Sequence, residues 1–219
     1  MRCIKRLLLL SLLCICLSTH AAGEKPPWTT IDAELTAHYE VAMWRAYYSE
    51  NYIELWRLLV KFFAYQLDIN VYHAARISFY ATTAAMGFAQ MPANMTEAEV
   101  NQAVLPHLRK FYQEIKTITH STWSVEAVAQ AELDWWQTRR ANSNDQVSVV
   151  ANKITKLYSL LYNGHNDCLE KAAFYRANAA KLRDKQRLKQ YINWLQLKQQ
   201  LQLAYRWLNR GIQGCNGFD

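Results

Sequence analysis

The chain has 219 residues, of which 51% are hydrophobic and 20% charged, with a formal net charge of +7. A chain of this length and composition can bury a core of its own, so we expect a single domain. The mild basicity, without any motif that reads a nucleic-acid groove, argues against binding to nucleic acid. The sequence also lacks a Glu-x-x-His pair, a Gly-x-Ser-x-Gly motif and a phosphate-binding glycine loop, so it carries no catalytic signature.

The first residues have the three parts of a secretory signal peptide. Basic residues come first, an apolar run covers 7–17, and small residues lead to Ala21. The run is shorter than the roughly 20 residues that span a bilayer, which favours a cleaved signal over an uncleaved anchor. We expect a signal peptide over 1–21 and a single helical domain over 22–219, located in the periplasm of a Gram-negative bacterium or secreted.

Cysteine usage predicts one disulfide. Three of the five cysteines lie in the predicted signal peptide, which leaves Cys168 and Cys215 in the mature chain. An exported protein folds in an oxidising compartment, where a lone pair of cysteines is expected to be oxidised. We therefore predict an intramolecular disulfide between these two residues.

The remaining sequence predicts an all-α fold. Prolines and glycines are few, and no run of alternating β-branched residues is bounded by turn signals. Short connections favour antiparallel hairpins, so we expect about eight helices in a compact helical array. Thr96 with Glu99, and Asp167 with Glu170, have the spacing of a capping box. The predicted spans are 31–49, 51–67, 71–90, 96–119, 124–141, 145–163, 167–184 and 186–210.

Two of these helices have contrasting patterns. The predicted second helix is apolar almost all round, which indicates a central position with neighbours on several sides. The predicted last helix carries apolar residues only every three or four positions, which is typical of a surface helix with one buried face.

The stretch AELDWWQTRR in the predicted fifth helix combines acid, indole and arginine on one face. Glu132, Trp136 and Arg139 follow one another at helical spacing, with Arg140 as an alternative to Arg139. They predict a pocket in which an arginine binds an anionic ligand while the indole covers its apolar part. The alternative is an acid–arginine pair across a helix turn, with the indoles filling the core.

The predicted first and third helices carry further candidate ligand-binding residues. Glu40, Trp44 and Tyr47 share a face of the first helix, with Tyr48 as an alternative to Tyr47. The third helix sets four polar residues on one line among alanines. They are His73, Arg76, Tyr80 and Thr83, and the first three are candidate ligand-binding residues.

An arginine on such a line needs an acidic partner. We predict that Arg76 pairs with Glu40 or Glu132, in either a structural network or a ligand site. Two-residue coincidences such as Glu34 with His38 are too weak to predict a metal site, so we expect neither a metal nor a cofactor.

The C-terminal part of the chain is basic. Residues 181–210 contain eight lysines or arginines against one aspartate. A basic amphipathic helix indicates contact with an anionic membrane surface or an acidic partner, and a solvated polar face is the alternative.

Three stretches resemble elements of uncharacterised bacterial exported all-helical proteins. They are AMWRAYY at 42–48, DWWQTRR at 134–140 and AAFYRANAAKLRD at 172–184. The resemblance covers most of the chain after the signal peptide and brings no activity, cofactor or catalytic residue. It implies that the three elements form one site.

These observations lead to one functional hypothesis and two alternatives. We expect an exported, non-enzymatic helical protein that binds a partner protein or a small ligand through its aromatic and arginine faces. The alternatives are an enzyme with a Glu/Arg/Tyr/His pocket and an adaptor at a membrane surface. Convergence of the candidate residues on an open cavity favours a ligand site, whereas mutual pairing in a closed core favours a structural network.

Overall fold

The computed structural model describes residues 29–92, 94–141, 146–184 and 192–215. These residues form eight α-helices and no strand, which confirms the predicted all-α class. None of these helices is long and apolar enough to cross a membrane. The predicted signal peptide and its cleavage site lie outside the described residues. The helices are α1 (Ala33–Tyr48), α2 (Tyr52–Gln66), α3 (Val71–Gln90), α4 (Glu97–Thr119), α5 (Val125–Ala141), α6 (Val147–Leu161), α7 (Asp167–Asp184) and α8 (Trp194–Ile212).

The eight helices close a ring. Each helix packs mainly against the helix before it and the helix after it, and α8 packs against α1. The short connections turn the chain back on itself, so that successive helices run antiparallel. At the seam between the two ends of the chain, Asn209 of α8 accepts a hydrogen bond from the backbone nitrogen of Ile31 at 2.8 Å and donates one to its carbonyl oxygen.

Local sequence signals fix most helix starts. Thr96 and Glu99 form the predicted capping box, in which each side chain bonds the backbone nitrogen of the other residue. The second predicted box, Asp167 with Glu170, is wrong. The side chain of Asn166 instead accepts a hydrogen bond from the Leu169 nitrogen at 3.0 Å. Asp167 is already the first residue of α7, so the capping residue is Asn166, one position earlier than predicted.

The predicted central position of α2 is also wrong. Leu55 is its only buried residue, and α2 packs against α1 and α3 alone among the stronger helix contacts. A helix in a ring has two neighbours, an inner face and an outer face, so an all-round apolar helix exposes part of its surface. On the outer face, Ile53 and Tyr65 are exposed.

The last helix completes the core as its pattern predicts. Its apolar stripe is buried against α7 and α1, so the stripe on which a membrane-surface role depends is covered. Gly211 makes this close packing feasible, because a Cβ there would lie 2.5 Å from the Leu169 side chain. Just beyond α8, Cys215 forms the predicted disulfide with Cys168, and their Cα atoms are 5.8 Å apart. The buried stripe comprises Leu197, Leu201, Ala204, Tyr205 and Leu208.

The disulfide predicts a large contribution to stability. It joins residues 47 positions apart and fastens the end of α8 to the start of α7. Replacing Cys168 and Cys215 together by alanine should lower the free energy of unfolding by about 4 kcal/mol, because the unfolded chain regains the entropy of an open loop. Urea unfolding followed by circular dichroism measures the change. Reduced wild-type protein should lose the same stability, and equal stability of the reduced and oxidised wild type would contradict the prediction.

Candidate functional site: a cavity inside the helical ring

A cavity of about 410 Å³ lies inside the ring and is lined by residues from all eight helices. Its volume falls in the roughly 300–1,000 Å³ range of small-molecule pockets. Most of its wall is apolar, and the small side chains of Ala81 and Ala85 form the part contributed by the middle of α3. Large apolar side chains form much of the rest. Among them are Leu59, Phe62, Phe63, Phe111 and Ile115.

A buried ion pair joins α1 to α7 and α8 at one part of this wall. Glu40 accepts hydrogen bonds from Arg176 at 2.8 Å and from the hydroxyl of Tyr205. Arg176 also donates to the Tyr158 hydroxyl at 3.4 Å and lies 5.5 Å from the ring centre of Trp135. Burial alone would lower the pKa of Arg176, but the Glu40 carboxylate, together with the smaller effects of Tyr205, Tyr158 and Glu132, outweighs burial and raises that pKa well above its ordinary value.

The second acid of the cavity has neutral partners. The two carboxylate oxygens of Glu132 accept hydrogen bonds from the Trp136 indole nitrogen at 2.8 Å and from the Tyr112 hydroxyl at 2.9 Å. The alternative of an acid–arginine pair within this helix therefore does not involve Glu132, whose oxygens accept from Trp136 and Tyr112. Trp135 is buried while Trp136 is partly exposed, and both line the cavity.

Two further arginines share one aspartate. Arg139 donates to the Asp184 carboxylate and to the hydroxyl of Tyr48, which itself donates to Asp184 at 3.2 Å. Arg183 lies with its Nε 3.9 Å from the same carboxylate, beyond hydrogen-bonding distance, and its guanidinium stacks 4.0 Å from the centre of the Trp44 ring. Burial, followed by the positive charge of Arg139, lowers the pKa of Arg183.

The arginines of the cavity carry more donors than their surroundings accept. Within the described part of the chain, the Nε atoms of Arg139 and Arg176 and both Nε and Nη2 of Arg183 are buried without a hydrogen-bond partner. Both oxygens of Glu40 and both oxygens of Glu132, by contrast, already accept hydrogen bonds. The unpaired buried polar atoms of the lining are thus arginine nitrogens.

Six of the nine candidate residues from the sequence line this one cavity. They come from α1 and α5, as the two acid–indole faces predicted. These six are Glu40, Trp44, Tyr47, Glu132, Trp136 and Arg139.

The three candidates on α3 lie elsewhere, and the predicted pairing of Arg76 with Glu40 or Glu132 is wrong. Arg76 forms an ion pair with Glu114 of α4 at 2.5 Å, and 44% of its side-chain surface is exposed. Tyr80 contacts Lys110 of α4, and His73 does not line the cavity. The spacing correctly placed these residues on one face of a helix, but that face is not the one that lines the cavity.

Sequence reasoning missed the partners that α7 and α8 supply. Arg176 and Arg183 are seven positions apart, which sets them on the same face of a helix, and this spacing was the available signal. Tyr205 lies within the apolar stripe of α8 and gave no sign that its hydroxyl meets an acid. The three stretches at 42–48, 134–140 and 172–184 all contribute lining residues to the cavity.

The titratable groups of the cavity are carboxylic acids, arginines and tyrosines. Across residues 29–92, 94–141, 146–184 and 192–215, no group of three His, Cys, Asp or Glu side chains is arranged to hold a metal ion. The geometry provides hydrogen-bond donors and positive charge beside an apolar space.

The buried pair predicts a contrast between two arginine variants. Arg176→Ala leaves Glu40 buried without its charged partner, so the free energy of unfolding should fall by about 3 to 5 kcal/mol. Arg76→Ala is the matched control, because its pair with Glu114 is exposed to solvent and should leave the melting temperature nearly unchanged. Thermal melts of both variants measure the contrast, and equal melting temperatures would contradict the assignment of the buried pair.

The buried tyrosines predict instability in alkali. Burial first, and the nearby Glu132 and Glu40 carboxylates next, raise the pKa of Tyr112 and Tyr205 well above the ordinary value. Because the folded pKa exceeds the unfolded one of about 10, their neutral forms stabilise the fold fully below that pH, and this contribution is lost as the pH rises beyond it. Tyrosinate absorbance and circular dichroism recorded together should show these tyrosines ionising only as the helices unfold. Ionisation of all tyrosines in a fully helical protein would contradict this.

Three comparisons with known proteins found no match. No family model matches the sequence, no curated protein matches it, and no solved structure matches the chain.

Proposed function

We propose that the protein is an exported, non-enzymatic binding protein that holds a small ligand inside the ring of helices. The observation that carries the proposal is the cavity itself, because residues from all eight helices line a single space of about 410 Å³. An apolar wall with a few convergent polar groups is the usual composition of a small-molecule site. Five charged side chains line this wall, which favours a small ligand bound in the cavity over a partner that docks outside; they are Glu40, Glu132, Arg139, Arg176 and Arg183.

The hydrogen bonds of Glu40 and Glu132 favour binding over catalysis. A general base must lie within hydrogen-bond reach of the proton that it abstracts. Glu40 and Glu132 each have both oxygens engaged by donors of the protein, so their role in this proposal is to position arginine, tyrosine and tryptophan side chains.

The attachment of α2 supports a route into the cavity. This helix has one buried residue and packs against α1 and α3 alone among the stronger contacts, yet it supplies Leu59, Phe62 and Phe63 to the cavity wall. Elements with few buried contacts open at the lowest free energy. We therefore expect the ligand to pass beside α2.

Export is part of the proposal for two reasons. The first 21 residues have the charged, apolar and small-residue order of a secretory signal. The disulfide between Cys168 and Cys215 suits a protein that matures in an oxidising compartment.

A neutral fluorescent probe tests the proposal. N-phenyl-1-naphthylamine, which emits strongly only in apolar surroundings, should bind the purified mature protein saturably at one site. Ala85→Phe and Ala81→Phe each place a benzyl group in the cavity and should weaken probe binding about tenfold or more, since an overfilled pocket excludes the naphthyl ring.

The matched control is Ala103→Phe, which adds the same group at an exposed position of α4 and should bind the probe as the wild type does. Circular dichroism identifies which variants fold. The proposal fails if the wild type does not bind the probe, or if both folded cavity variants bind it as tightly as the control.

A further inference from the structure

The unpaired arginine donors indicate the chemical class of the ligand, an inference that rests on the proposed function. We propose that the ligand is an amphipathic organic anion. Its carboxylate or similar oxyanion head binds Arg183 and Arg139, and its apolar body lies against the walls formed by α2, α3 and α4.

The balance of donors and acceptors selects an anion over a neutral or cationic molecule. Arg183 alone has two buried nitrogens without a partner, and Arg139 has a third. An oxyanion supplies acceptor atoms to such donors, whereas an ammonium group supplies only more donors. A cation would share the oxygens of Glu40 and Glu132 with protein donors, because each of these four oxygens already accepts one hydrogen bond.

The charges around Asp184 also favour an anionic ligand. Two guanidinium groups, those of Arg139 and Arg183, face the single carboxylate of Asp184. Arg139 donates a hydrogen bond to the Asp184 carboxylate, whereas Arg183 lies beyond hydrogen-bonding distance from it. A buried cation without a bonded counter-ion is costly, so an anion bound there relieves a cost that the protein alone bears.

The surroundings of Arg183 suit it to hold a head group in a fixed place. Its side chain is only 5% exposed, and its guanidinium stacks on the Trp44 indole at 4.0 Å and lies 5.7 Å from the Tyr48 ring. Stacking covers the faces of a guanidinium and leaves its edge, which carries the donors, for a planar oxyanion. Arg183 lies in the last turn of α7 and lines the cavity.

Three probes of one chain length test the head group. Decanoate, 1-decanol and decylamine are titrated against N-phenyl-1-naphthylamine bound to the wild-type protein. Decanoate should displace the reporter at a concentration about tenfold lower than 1-decanol, the gain expected from charge-assisted hydrogen bonds, and decylamine should be the weakest competitor. Acetate and inorganic phosphate, which carry the head without the body, should not displace it.

Two variants locate the head group. In Arg183→Gln the advantage of decanoate over 1-decanol should fall about tenfold, because the charged fork is gone. Arg76→Gln is the matched control at the surface and should keep the wild-type ratio. If Arg183→Gln does not fold, Arg183→Lys keeps the charge but not the fork and should reduce the ratio in the same direction.

The outcomes separate this inference from the proposed function. A wild-type protein that does not bind the reporter contradicts the cavity as a ligand site. A protein that binds the reporter and takes 1-decanol or decylamine as tightly as decanoate keeps the ligand site and overturns the anionic class. Displacement by phosphate or acetate alone makes the site one for small inorganic or simple anions and overturns the amphipathic ligand. An unchanged ratio in folded Arg183 variants overturns the placement of the head.

Discussion

The buried bond between Glu40 and Arg176 is the interaction on which the rest of this architecture depends. Glu40 belongs to the first helix and Arg176 to the seventh, while Tyr205 of the eighth helix bonds the other carboxylate oxygen. The acid thus holds three helices where the two ends of the chain meet. A buried ion pair contributes little net stability compared with apolar packing. A helix arrangement that buries one of the two charges without its partner is, however, strongly destabilised. Its value here is that it defines which helix closes the ring.

The parts of the fold that could be predicted depend on residues close in sequence or on a small number of possible partners. The capping box at Thr96, the buried stripe of α8 and the disulfide all follow from local spacing or from the count of available partners. The position of α2 and the partner of Arg76 could not be predicted from local spacing. Helical periodicity gives the relative direction of side chains on one helix, but the direction of the interior depends on contacts with distant helices.

The candidate site illustrates the same limit. The acid–indole faces of α1 and α5 were recognisable because acids among aromatic residues stand out in a sequence. Arg176 and Arg183 sit among alanines on a helix whose pattern shows no clear polar face, and only the assembled ring gives them their different surroundings. One meets a carboxylate that balances its charge, and the other shares a carboxylate already taken by Arg139. Identical side chains two turns apart thereby acquire different chemistry.

The seam of the ring has a consequence for the order of folding. The hydrogen bonds between Glu40 and Tyr205 and between Ile31 and Asn209 join residues separated by 165 and 178 positions. Contacts of such long range cannot form until both α1 and α8 are present, and they slow the final step of folding. Helical hairpins between neighbouring helices can assemble earlier, but the cavity is complete only after α8 packs against α1. Any ligand that is captured while the protein folds must therefore be captured at that last event.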